Sequence, residues 1–185
     1  MSLCRPKLSR SLVVVSLVFV IGLSGCVTPP ETVDFVDLER YEGLWYEIAS
    51  YPTFFNQDLV ATTAQYTLRE DGRVDLINRA RVGDFDGPET TIAGVARTTD
   101  PNSNSRLAVR FNQFPVCLFE AHYWIIELDQ ENYQYAVVSD PRRSTLFILS
   151  RTPTVDDQFL QALIDDLAAR GFDPNEIQLT PQPPQ

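Results

Sequence analysis

Lysine is what this sequence most lacks: Lys7 is the only one in 185 residues. Positive charge is otherwise carried by arginine, and Arg5, Lys7 and Arg10 stand ahead of the first acid, Glu31. Without residues 1–25 the remaining 160 residues hold 12 arginines and 25 acids, a formal balance of 12 − 25 = −13. That charge excludes a nucleic-acid partner, because phosphate binding is driven by basic side chains. It also disfavours peripheral attraction to anionic lipid. Histidine is scarce too, and His122, the only one, forms no recognisable zinc set with a single nearby thiol, Cys117. The one long apolar run, Leu12 to Leu23, is too short to span a bilayer as a permanent helix.

What is present begins at the amino terminus. A basic cluster, an apolar run broken only by Ser16 and Gly22, and small residues before a cysteine form a secretory leader, residues 1–25. Leu23-Ser24-Gly25-Cys26 resembles the lipobox of bacterial lipoproteins, which implies acylation of Cys26 as the first mature residue. Several acyl chains anchor firmly, at ~0.8 kcal/mol per buried methylene. Val27 stands where an aspartate signals inner-membrane retention in that class, so the resemblance implies the outer membrane. Residues 26–33, with Pro29 and Pro30, read as a short, stiff tether. Cys4 then leaves with the leader and Cys26 carries lipid. Cys117 remains as a lone thiol, with no intramolecular disulfide to make.

Residues 44 to 151 read as eight short strands: Leu44 to Tyr51, Ala61 to Arg69, Arg73 to Val82, Thr91 to Thr98, Arg106 to Asn112, His122 to Leu128, Tyr135 to Ser139 and Thr145 to Ser150. Asp71-Gly72 is a hairpin signal, and Gly83 to Pro88, Asp100-Pro101-Asn102 and Asp140-Pro141 are turns. Short connections make sequential antiparallel pairing the economical topology. Leu107, Val109 and Phe111 alternate with Arg106, Ala108 and Arg110, one apolar face per strand, which leaves a sandwich or a closed barrel. A helix follows, with Thr154 as its N-cap candidate and Asp156 and Asp157 in its first turn. Val155, Phe159, Leu160, Leu163, Ile164 and Leu167 give it an apolar stripe, and Arg170-Gly171 end it. Asn175 to Thr180 is a candidate ninth strand, and residues 181–185 read as a loose tail.

Three segments resemble the lipocalin signatures, in order and at the right spacing. Asp37 to Ile48 contains the Gly-x-Trp core as Gly43-Leu44-Trp45. Leu128 to Tyr133 matches the second signature, and Ile148 to Pro153, with Arg151, the third. The similarity covers roughly residues 34–180, and is nearest to the bacterial outer-membrane lipocalins and their animal relative apolipoprotein D. It implies an all-β fold, an eight-stranded up-and-down antiparallel barrel with one C-terminal α-helix packed on its outside. It further implies that Trp45 plugs the closed end, that Arg151 lies across it, and that Gly43 lets the chain pass closely.

Aligned on the family, the inward face comprises Ala64, Tyr66, Leu76, Asn78, Ala80, Ala93, Val95, Leu107, Val109, Phe111, Tyr123, Ala136, Val138, Phe147 and Leu149. Of these, Tyr66, Asn78, Val109, Phe111, Tyr123 and Phe147 are the expected ligand contacts. The resemblance suggests a fatty acid or lysophospholipid, stored or transported in the envelope by a lipid-anchored barrel facing the periplasm. The alternative is a scaffolding lipoprotein with a packed barrel. Thr53 to Leu59, with Phe54 and Phe55, would cover the open end. Gln113 to Glu120, with Phe114, Cys117 and Phe119, either widens the way in or forms a contact between two chains, a homodimer. No enzyme is expected. Tyr123 inward places its neighbour His122 outward, away from any partnership with Cys117, and Glu47 reads as a hydrogen-bonded structural acid rather than a proton carrier. No metal or cofactor is implied.

Overall fold

The computed structural model describes residues 28–53, 56–113 and 118–184. The leader, Cys26, Phe54, Phe55, Phe114 and Cys117 lie outside the described residues. Eight strands follow one another: β1 (Gly43–Ser50), β2 (Leu59–Leu68), β3 (Val74–Val82), β4 (Glu89–Thr98), β5 (Arg106–Phe111), β6 (Ala121–Leu128), β7 (Tyr135–Ser139) and β8 (Leu146–Ser150). Each pairs antiparallel with the next, and β1 closes the ring by pairing with both β8 and β2. The expected up-and-down barrel is therefore what the chain forms. Connections β2–β3, β4–β5 and β6–β7 lie at one end, where Trp45 sits. The four connections β1–β2, β3–β4, β5–β6 and β7–β8 form the rim of the other.

A short helix not anticipated from the sequence, α1 (Leu38–Tyr41), precedes β1, with the Asp37 carboxylate accepting from the amides of Glu39 and Arg40. The longer α2 (Asp157–Ala169) lies outside the barrel. Its cap is Asp156, whose carboxylate accepts from the Phe159 amide at 3.0 Å, and not the expected Thr154. Asp156 wins because its extended backbone directly precedes the first helical residue, the geometry an N-cap needs. Leu163 and Leu167 turn into a second apolar cluster with Ile48, Ile126, Val137, Leu146 and Ile148, the outward face of four strands. This side of the sheet is thus apolar on both faces, as a sheet covered by a helix should be.

At the carboxyl terminus the candidate ninth strand forms over part of its expected span, and the residues beyond it differ from expectation. After a 3-10 turn at Pro174–Glu176, β9 (Gln178–Leu179) pairs with the rim half of β1. Strands β1 and β2 pair only from Gly43↔Tyr66 to Tyr46↔Thr63, and beyond that the tail is wedged between them. Thr180 donates its amide to the Ile48 carbonyl, and the Pro181 carbonyl accepts from the Ala61 amide. Gln182 Nε2 donates to the carbonyls of Glu47 (2.8 Å) and Thr62 (2.9 Å). Pro181 and Gln182 are thus part of the barrel wall rather than a loose tail. They satisfy backbone groups that the splayed strands leave open, which a buried seam requires.

Candidate functional site

The inward-facing residues divide into a floor at the closed end and an upper wall toward the rim, where several side chains are partly exposed. At the floor Trp45 is fully buried, and its indole donates to the Tyr41 carbonyl at 2.8 Å. Arg151 lies 3.9 Å from the centroid of the Trp45 ring. Its guanidinium donates to the carbonyls of Leu44 (3.0 Å), Arg40 (2.8 Å) and Tyr133 (3.2 Å). Gly43 has a positive φ of 107°, and a Cβ there would come within 3.1 Å of the Arg151 guanidinium. All three signature segments therefore meet here: Tyr133 Oη also accepts from the Asp37 amide at 3.0 Å. These residues close the end of the barrel and are not part of its upper wall.

Above the tryptophan, three tyrosines fill the bore. Tyr123 Oη is 2.9 Å from Tyr41 Oη and 2.8 Å from Tyr66 Oη. Burial pushes all three phenols above their ordinary pKa, so they are neutral and act as a hydrogen-bonded chain rather than as a charge. The space left among them is a cavity of about 20 Å³, lined by Leu38, Tyr66, Val109 and Ile125 among others. It has room for one water and no more. Of the six expected ligand contacts, Tyr66, Val109 and Tyr123 belong to this floor.

The other three, Asn78, Phe111 and Phe147, lie nearer the rim and are only half-buried, as is Ile92. Strand β4 corrects the inward list. Leu76 pairs with Gly94 and Asn78 with Ile92, and directly paired residues share a face, so Ile92, Gly94 and Ala96 point inward while Ala93 and Val95 point out. Gly94 pairs with Phe111, and a Cβ on it would stand 3.0 Å from the Phe111 ring, so the glycine makes space for that ring. Polar atoms punctuate this wall. Asn78 Oδ1 and Thr62 Oγ1 are buried with no partner among the described residues. Beside them Glu47, 7% exposed, accepts from Ser50 Oγ (2.9 Å) and Thr180 Oγ1 (2.6 Å), both on Oε1. Burial raises its pKa, and the two hydroxyls oppose the rise. Unpaired buried acceptors are costly, and in such a wall they are groups a bound molecule or water can satisfy.

Elsewhere the chemistry is sparse. His122 is exposed on the outer face opposite Ala108. Among the described residues no cluster of three His, Cys, Asp or Glu side chains is placed to hold a metal. The sequence reading missed Tyr41, Thr62 and Ile92. Tyr41 belongs to a helix of four residues, too short to announce itself by periodicity. Thr62 sits beside a bulge at Ala61, whose φ is +52°, and it continues the parity of Ala64 and Tyr66, but the missing partner of its hydroxyl is a tertiary feature that spacing does not announce.

Comparison with known proteins agrees with this architecture. A family described as "Lipocalin-like domain" matches residues 36–182. Outer membrane lipoprotein Blc of Vibrio cholerae is 37% identical over 159 residues, spanning 84% of this chain and 90% of that protein. Mouse apolipoprotein D is 31% identical over 166 residues, spanning 86% of this chain and 84% of that protein. Among solved structures, lobster apocrustacyanin A1 superimposes with a TM-score of 0.63 at 16% identity, covering 88% of this chain and 94% of that one, which shows the fold alone. The three signatures joined at the closed end, the eight-stranded ring and these relatives lead to one conclusion: the chain belongs to the lipocalin family.

Proposed function

We propose that this protein is a lipid-anchored lipocalin that binds one small apolar ligand, a fatty acid or lysophospholipid, in the upper chamber and stores or carries it in the cell envelope. The observation that carries the reading is the contrast within the bore: the floor is sealed, while Asn78, Ile92, Phe111 and Phe147 stay half-buried on the inward face. Mostly apolar walls with a few polar atoms are the usual makeup of a small-molecule site. Binding without catalysis fits a site whose titratable group, Glu47, is already engaged by two hydroxyls. Attachment through Cys26 and placement at the outer membrane draw support from the Leu23-Ser24-Gly25-Cys26 sequence and from relatives named outer membrane lipoproteins, and the barrel on the periplasmic side is part of the same proposal. Residues 28–33, expected as a tether, instead run along the barrel, with Thr28, Thr32 and Val33 hydrogen-bonded to it.

Native mass spectrometry with lipid extraction tests this on the chain lacking residues 1–26, purified from a bacterial host. One fatty acid or lysophospholipid per chain is expected, lost in Phe147→Trp, which fills the chamber. A protein that arrives empty and takes up neither lipid would overturn the reading and leave a packed scaffolding barrel.

A further inference from the structure

The described chain begins at the open end of the barrel. Thr28, the first described residue, is held at the rim: its carbonyl accepts from Arg143 Nη1, and Arg143 sits in the β7–β8 turn. From there the chain descends the barrel. Thr32 Oγ1 accepts from Ser105 Oγ at 3.1 Å, the Val33 amide donates to Ile125 O, and the Val36 amide donates to Ser103 O in the β4–β5 connection at the closed end. Cys26 is two residues before Thr28, so the chain can carry it no more than about 7 Å from the rim. An acyl group on Cys26 therefore holds the mouth against the bilayer, not the floor.

Two further features of the rim fit such a surface. Two of the three most exposed large apolar side chains among the described residues lie there, Leu118 (66%) and Phe119 (69%) in the β5–β6 connection, with the less exposed Val82 and Phe85 beside the β3–β4 connection. The third, Leu179 (67%), stands on the outer wall in β9. The closed end shows Phe35 and Leu44. Exposed apolar groups gathered at one end of a molecule mark an interaction surface. Beside Thr28, an open groove of about 530 Å³ is bordered by three cations, Arg142, Arg143 and Arg170, and two acids, Asp173 and Glu176. Arg142 is exposed, and its guanidinium has no carboxylate partner among the described residues. The rim also carries acids: Glu120 and Glu89 are paired with arginines, but Asp84 and Asp86 flank Phe85 without ion pairs among the described residues. With a balance of −13, these acids select against an anionic surface and for a zwitterionic one, whose phosphates remain within reach of arginine.

We propose that the barrel docks mouth-first on the bilayer that holds its acyl chains, with Leu118 and Phe119 in the interface and Arg142 on the phosphate of a zwitterionic phospholipid headgroup. An apolar ligand then passes between bilayer and chamber without crossing open water. This rests on the anchoring proposed above, and the test separates the two.

The acylated protein, produced in a bacterial host, is reconstituted with phosphatidylcholine vesicles in a Cys117→Ser background. A fluorophore is placed at Phe119→Cys or at Phe35→Cys, and quenching by lipids brominated along their chains is measured. Severalfold stronger quenching at position 119 than at position 35 is expected. Equal or reversed quenching in protein that floats with the vesicles overturns mouth-first docking and leaves the anchor standing. Protein that does not float overturns the anchor, and the docking with it. In a second measurement, Leu118→Asp with Phe119→Asp slows transfer of a fluorescent fatty acid from vesicle to barrel severalfold, while Phe35→Asp does not. Equal rates in all three proteins overturn the route.

Discussion

The two halves of this barrel are built from the same strands and obey different rules. In the lower half, Trp45, Leu76, Val109, Ile125, Ala136 and Val138 are almost completely buried, and each polar atom of the tyrosine trio has a partner. In the upper half Asn78, Ile92, Phe111 and Phe147 are partly exposed, and two polar atoms, Asn78 Oδ1 and Thr62 Oγ1, are buried without a partner among the described residues. Stability is concentrated where packing is dense and polar groups are satisfied, and the proposed binding site lies where they are not. A small barrel can be filled by its own side chains, so keeping half of it accessible costs the fold contacts it could otherwise have made.

The most severe challenge to that division is truncation at the floor. Trp45→Ala is expected to destabilise the protein by roughly 3–5 kcal/mol, because it empties a fully buried site and removes the ring over which the Arg151 guanidinium lies. Phe147→Ala in the upper half should cost only about 1–2 kcal/mol, since its ring is already partly in solvent. Denaturant titration of both reads the difference, and equal losses would erase it.

A finer contrast is chemical. Tyr123→Phe breaks two hydrogen bonds and leaves two buried phenols short of a partner, at a cost of about 1–2 kcal/mol with ligand affinity unchanged. Asn78→Leu strands no partner, so stability should hold within about 0.5 kcal/mol while ligand affinity falls. The opposite assignment of effects, seen by thermal melting and by displacement of a fluorescent fatty acid, would place the binding site at the floor.

The smallest effect concerns Glu47, at the boundary between the halves. Burial raises its pKa, so the folded chain holds this proton more tightly than the unfolded chain does. The resulting stabilisation is present in acid and is lost as pH rises from the ordinary glutamate range through the folded value. Glu47→Gln keeps an acceptor for Ser50 and Thr180 and cannot ionise. It should therefore raise the melting temperature near pH 7 and leave it unchanged near pH 4. An equal gain at both would show that titration is not the cause.

Much of the fold was legible from residues alone. Period-two alternation, turn residues and an apolar stripe at helical spacing gave the strand count, the order and α2, because these are local signals. The signature residues were legible as well: Gly43, Trp45 and Arg151 meet as the family resemblance implied. The ligand contacts were legible only as a face and not as a depth. Tyr66 and Phe147 alternate in the same way, and nothing in their spacing tells a floor from a chamber.

The strand pattern by itself determined eight one-sided antiparallel strands, which can bury their apolar faces as a sandwich or as a closed barrel, and the resemblance of the three signature segments to lipocalins pointed to the barrel. Tertiary structure alone decided three things. In β4 both parities carry small apolar residues, Ile92, Gly94 and Ala96 against Ala93 and Val95, so only pairing with β3 settled which set faces in. The tyrosine trio joins residues 57 and 82 positions apart, and no local pattern encodes a hydroxyl's partner. The wedge of Gln182 against Thr62 spans 120 positions, and it exists because strands that splay leave carbonyls that something must satisfy.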